Sequence, residues 1–158
     1  MAENKQQKLF LLDAFALIYR SYFAFIRNPR FNSKGINTSA MLGVTNTIVQ
    51  LMEKEDPEYL AVVFDVSAPT FRHEMFKEYK ANRDEMPEDL RKSIPYIRKI
   101  IEAFNIPIIE KEGYEADDVI GTLAKKAEKE GFTTYMMTPD KDYAQLVSDQ
   151  IFMYKPGK

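Results

Sequence analysis

The amino-acid sequence predicts an α/β fold with a mostly parallel central sheet of about five strands flanked by helices. Three observations predict it. Apolar runs rich in β-branched and aromatic residues alternate with longer amphipathic stretches along the whole chain. Runs such as "LFLLD" and "LAVVF" carry no polar alternation, the pattern of strands covered on both faces. Strand and helix signals alternate along most of the chain, the order that builds parallel βαβ units.

The elements read as follows. A strand over residues 8–13 ends in Asp13 and leads into a helix over 14–25. The next helix, 38–54, opens at "NTSA" with Thr38 or Ser39 as its cap. A second strand covers 59–65, and a long charged stretch bounded by prolines separates it from a helix over 88–104. A third strand covers 106–110. The helix over 116–130 starts at a run of acids and is stopped by Gly131. Strands over 133–138 and 151–154 flank a short helix over 142–146. No internal repeat interrupts this order, so residues 1–158 read as a single domain. Residues 27–37 and 66–87 are its least regular parts, and insertions of that length in α/β domains commonly carry function.

Composition narrows the classes. The chain is 45% hydrophobic and 29% charged, an ordinary globular balance. It has no cysteine, which excludes disulfides and thiolate zinc sites and fits a reducing compartment. Asp13 interrupts the apolar run near the N-terminus, and no stretch reaches the ~20 apolar residues of a membrane span. The net charge of -2 and pI near 5.6 argue against a uniformly basic nucleic-acid binder. There is no GxxxxGK[ST], GxSxG or GxGxxG, so NTPase, hydrolase-elbow and dinucleotide readings fall away.

The acids carry the chemistry. Asp13, Asp65 and the pair Asp140 and Asp142 each follow a predicted strand, and Glu115, Asp117 and Asp118 open a helix that itself follows one. In a parallel sheet the C-terminal strand ends lie on one edge, where ligands bind. A lone Asp in such a place is most often a cap or turn residue. Seven converging carboxylates repel one another, by ~3 kcal/mol per pair at ~5 Å and an effective dielectric of ~20. Hard divalent cations, Mg²⁺ or Mn²⁺, neutralise such a set. Two such ions about 4 Å apart suit hydrolysis of a phosphodiester.

The substrate signal lies in "FRHEMFKEYKANR", residues 71–83. If helical, it puts Arg72, Phe76, Tyr79 and Arg83 in a narrow arc, with Lys80 beside it. Arg and Lys would contact phosphates, and an aromatic ring would stack on a base. As exposed charges in an insertion, Arg72 and Lys80 are expected to act on substrate and hardly on folding. The opposing reading is a solvated surface helix. The single histidine, His73, reads as a surface residue, since metal-activated water needs no such base.

The chain carries the motifs "LLDAFALIYRSYFAF", "NSKGINTSAMLGV", "AVVFDVSAPTFRHEMFKEYKANRDEMP", "EGYEADDVIGTLAKKAEKEG" and "TPDKDYAQLVSD". Together they resemble the 5′ nuclease, flap endonuclease-like family found at the N-terminus of bacterial DNA polymerases. The resemblance covers nearly the whole chain. It implies a PIN-like fold, a two-metal Mg²⁺ or Mn²⁺ site on the seven acids, and 5′–3′ exonuclease and flap endonuclease activity in replication and repair. It implies DNA with 5′ flaps, nicks or RNA primers as substrate and a polymerase domain of the same parent chain as partner, in the bacterial cytoplasm with the nucleoid and without a membrane. It implies catalytic roles for Lys80, Arg72 and Arg20, with Tyr79, Arg83, Lys77 and Phe76 as DNA contacts, and a helical arch over about 66–93. Pro139 and Ala14 depart from glycines common at those places. Family members continue into a helical DNA-binding region, so the chain is expected to be truncated before it, with one metal site incomplete. A phosphoacceptor receiver domain, a haloacid-dehalogenase-type phosphatase and a DNA-binding module without activity are the competing readings. The first needs one phosphorylated Asp, and the second needs DxD where this chain has "DAF".

Overall fold

The structure is a computed structural model and describes residues 5–66, 70–80 and 84–155. Its elements in order are β1 (Lys8–Asp13), α1 (Ala14–Ala24), α2 (Ser39–Glu55), β2 (Tyr59–Val63), α3 (Phe71–Met75), α4 (Glu88–Ala103), β3 (Ile108–Ile109), α5 (Ala116–Lys129) and β4 (Thr133–Met137). A 3₁₀ helix (Lys141–Leu146) and β5 (Ile151–Tyr154) follow. The five strands are all parallel, in the order β3-β2-β1-β4-β5. The receiver reading does not fit that order, since receiver domains run 2-1-3-4-5.

The sheet is buried on both faces, as its continuous apolar strands require. Phe10 and Leu12 of β1 point into a core shared with α1, α2 and α4, where Ile18, Ile48 and Leu90 are fully buried. Leu11, from the opposite face of the same strand, packs with Ile120 and Ala124 of α5 and with Met136. Helices α1 and α2 approach closely at Gly43, where a Cβ would meet the Ser21 Cβ at 2.4 Å. Gly131 ends α5 as the sequence predicts, with φ 85 beyond the cap residue Glu130.

Several boundaries move. The second strand stops at Val63, although the Phe64 N–H still donates to the Ile109 carbonyl at 2.9 Å. The third shrinks to two residues at the sheet's edge. The short helix after β4 is 3₁₀, begun by Asp140, whose carboxylate accepts from the Asp142 N–H at 2.9 Å. The single helix expected over residues 71–83 does not form across the described residues 71–80. After α3 the backbone turns extended at Phe76 (φ -135), and Lys80 takes a left-handed φ of 60. The predicted arch shares its last residues with α4, where Leu90 and Ser93 are buried. Among the described residues no helix is long and apolar enough to cross a membrane.

Candidate metal centre

The order of the sheet places the site. The chain winds outward from β1 through β2 to β3, then returns to the other side of β1 with β4. The crevice at the C-terminal ends of strands β1 and β4 is therefore the switch point where α/β sheets bind ligands. Asp13 ends β1, Asp65 lies two residues past β2, and Asp140 follows β4. The N-terminus of α5 adds Glu115 and Asp117, and these residues with Asp142 line one cavity of about 280 Å³. Six of the seven predicted acids thus share a wall. The seventh, Asp118, lines a neighbouring cleft instead.

Asp13 is buried, 8% exposed, as is Glu115 at 4%. Its carboxylate caps α1 by accepting from the Ala16 N–H at 3.4 Å, and it accepts from the Tyr143 hydroxyl at 3.0 Å and Thr138 Oγ1 at 3.3 Å. Burial is the larger influence and, with the charge of Asp65, lifts its pKa to about 6 against those hydrogen bonds. Asp65 is tied to the next element, accepting from the Ala116 N–H at 2.9 Å. The start of α5 is fastened by Asp118, which accepts from the Glu115 N–H at 3.1 Å.

Basic groups from the segment after β2 close over these acids. The Arg72 guanidinium donates to Glu115 and Asp118, the Tyr79 hydroxyl to Glu115 at 3.1 Å, and Lys80 Nζ to Glu115 as well. Burial opposes the charge of Glu115, but Lys80, Tyr79 and Arg72 outweigh it and hold its pKa below the ordinary value. The Arg72 hydrogen bonds hold Asp118 low in the same way. Among the described residues Asp117 enters no ion pair. Desolvation, then the charges of Asp118 and Glu115, push its pKa up. Glu115, Asp117 and Asp118 each offer an oxygen within 4.8 Å of the others. An all-carboxylate donor set with one member held above its ordinary pKa fits a hard divalent cation.

The predicted basic and aromatic residues divide. Arg72, Tyr79 and Lys80 reach the acids, by the turn at 76–80 and not by a helical stripe. Phe76 and Lys77 are exposed beside them. Arg20 is half-buried on α1 and does not line the cavity, whereas Tyr19 does. Arg83 lies outside the described residues. His73 caps α3, its Nδ1 accepting from the Thr70 N–H at 3.1 Å. Arg72 and Lys80 are also fixed to a buried glutamate, so the expectation that they hardly touch folding does not hold. Tyr143 and Thr138 went unnoticed in the sequence. The one signal for Tyr143 was its place directly after the "DKD" acids.

Comparison with known proteins gives this geometry a lineage. DNA polymerase I of Bacillus subtilis is 43% identical over 148 residues, covering 93% of this chain and 16% of that protein. A 5′–3′ exonuclease of Aquifex aeolicus is 42% identical over 148 residues, 94% of this chain and 50% of that one. The chain therefore spans half or less of the length of these relatives. Among solved structures, the T5 D15 protein crystallised with metal ions superposes with a TM-score of 0.69 at 22% identity, covering 94% of this chain and 54% of that one. Flap endonuclease-1 from Methanococcus jannaschii does so with 0.56 at 20%, covering 89% and 50%. These two likenesses establish the PIN-like 5′ nuclease fold. Residues 8–158 match the family described as the 5′–3′ exonuclease, N-terminal resolvase-like domain, and the chain belongs to that family.

Proposed function

We propose that this chain hydrolyses phosphodiester bonds of DNA at 5′ ends and 5′ flaps, with Mg²⁺ or Mn²⁺ held by Asp13, Asp65, Glu115, Asp117, Asp140 and Asp142. One observation carries the reading: six carboxylates from separate strand and helix ends line one cavity, at whose rim Tyr79 and Lys80 stand. Divalent ions there supply a water of lowered pKa and neutralise charge on the phosphate and the leaving oxygen. The chain's own residues do the rest. Asp13, kept in place by Tyr143 and Thr138, must give up its proton for the set to reach full charge. Lys80 at the rim and Arg72 in the adjoining cleft, both already paired with Glu115, exchange it for phosphate oxygens and hold the scissile group. The Tyr79 ring gives a base a surface to stack on. Asp118 fastens the α5 terminus and the Arg72 fork, and it joins the ligands where the cation sits nearest Glu115. Arg20, Phe76, Lys77 and Arg83 contact neighbouring parts of the strand.

The D15 flap endonuclease of phage T5 in a complex with DNA and metal ions supports the substrate class. We infer a role in replication and repair, on nicks and RNA primers, in the bacterial cytoplasm; the DNA polymerase I relatives support a polymerase domain as its partner. The test is release of a labelled 5′ end from a flap oligonucleotide by this chain in Mg²⁺ or Mn²⁺. Metal-dependent release that Asp117→Asn abolishes supports the reading. Release that needs no metal, or a chain that binds no cation, overturns it.

A further inference from the structure

A second cleft, of about 590 Å³, opens beside the acid cavity between α5 and the 3₁₀ helix. It shares Asp117, Asp142 and Tyr143 with that cavity, so the two adjoin. Its far wall has the opposite charge. Thr122, Lys125, Lys126 and Lys129 follow one another at helical spacing along α5 and all line the cleft. Lys125 has Glu128 at 3.4 Å. Among the described residues Lys126 and Lys129 enter no ion pair and are exposed. Lys126 and Lys129, three residues apart, repel one another unless an anion faces them. Tyr143 and Leu146 give the opposite wall an apolar surface.

We propose that this cleft carries the phosphodiester backbone of the nucleic-acid strand on one side of the cut. The proposal rests on the nuclease reading above, and it adds where that strand runs. At 1.5 Å per residue, Lys125 and Lys129 stand ~12 and ~18 Å along α5 from Asp117. Successive phosphates of one duplex strand are ~3.4 Å apart along its axis, so the lysines meet phosphates about three to five positions from the one at the acids. An isolated anion would need only one lysine. A row of three, leading away from the acid cavity, matches a polyanion that begins there.

The test compares the chain with a Lys126→Gln/Lys129→Gln variant for binding to a fluorescent 5′-flap oligonucleotide over a salt series in EDTA. Loss of two phosphate contacts makes the slope of log K against log salt shallower by about 1.4 to 1.8. A Lys92→Gln/Lys99→Gln variant, with the same charge change on α4 across the sheet, keeps the original slope. Because the chain has no cysteine, Lys129→Cys bearing a photo-crosslinker gives an independent readout. Crosslinks cluster a few nucleotides from the cleavage site if the cleft holds the strand. An unchanged slope in the α5 variant, an equal loss in the α4 variant, or no crosslink overturns the cleft assignment alone. A wild-type chain that neither binds nor cuts the flap overturns the nuclease reading and this proposal together.

Discussion

Arg72 bridges Glu115 and Asp118: one guanidinium nitrogen donates to both carboxylates at 2.7 Å, and the other to Asp118 at 2.8 Å. The acid cluster is thereby partly neutralised from within, by a residue whose proposed task is to hold phosphate. Cation loading and phosphate binding both draw on this contact.

Arg72→Ala should therefore destabilise the chain in EDTA. Removing one partner of a buried pair costs about 3 to 5 kcal/mol. Arg72 is 30% exposed, so solvent screening reduces the expected loss to about 1 to 2 kcal/mol. Millimolar Mn²⁺ should restore most of it, because the ion replaces the missing charge. Urea melts with and without Mn²⁺ check both halves, and a variant as stable as the parent in EDTA would contradict the bridge.

The pH dependence follows from Asp13. Its pKa rises from 3.8 in the unfolded chain to about 6 in the fold, so between those values the native state binds more protons than the unfolded one. Its contribution to stability is full below pH ~4 and is lost as pH rises through ~6, by about 3 kcal/mol. Asp13→Asn in EDTA should abolish that decline and raise stability at pH 8. Denaturant midpoints from pH 4 to pH 8 measure it.

Tyr143→Phe should shift the same decline upward. The hydroxyl stabilises the charged form of Asp13, so without it the proton leaves at a higher pH. A midpoint that stays at about 6 would show that Tyr143 does not tune this acid.

Gly43→Ala should cost about 1 to 3 kcal/mol, because the new Cβ would stand 2.4 Å from the Ser21 Cβ and α1 and α2 would have to separate. Adding Ser21→Gly should recover part of the loss. Thermal melts of the single and double variants test the contact.

Much of this was legible in the sequence. Strand-end acids such as Asp13 and Asp140 are marked by the apolar runs before them, and α5 is bounded by Glu115 and Gly131. The segment after β2 was not. Its helical spacing is real through Met75, but the attraction of Tyr79 and Lys80 to a buried glutamate 35 or more residues away turns the chain where local pattern would continue it. Tyr143 was hidden for the same reason, since its partner Asp13 lies 130 residues away. Sheet order, which sets the switch point, is a long-range property that no local pattern holds.

The carboxylate metal centre is tested most directly by a Mn²⁺ titration of this chain followed by electron paramagnetic resonance at pH 8, beside Asp117→Asn, an exposed change that leaves the core intact. The parent should quench the free-ion signal until its site fills, and the variant should quench it far less. A parent that leaves Mn²⁺ free, or a variant that binds it equally well, would contradict the claim that these carboxylates are a metal centre.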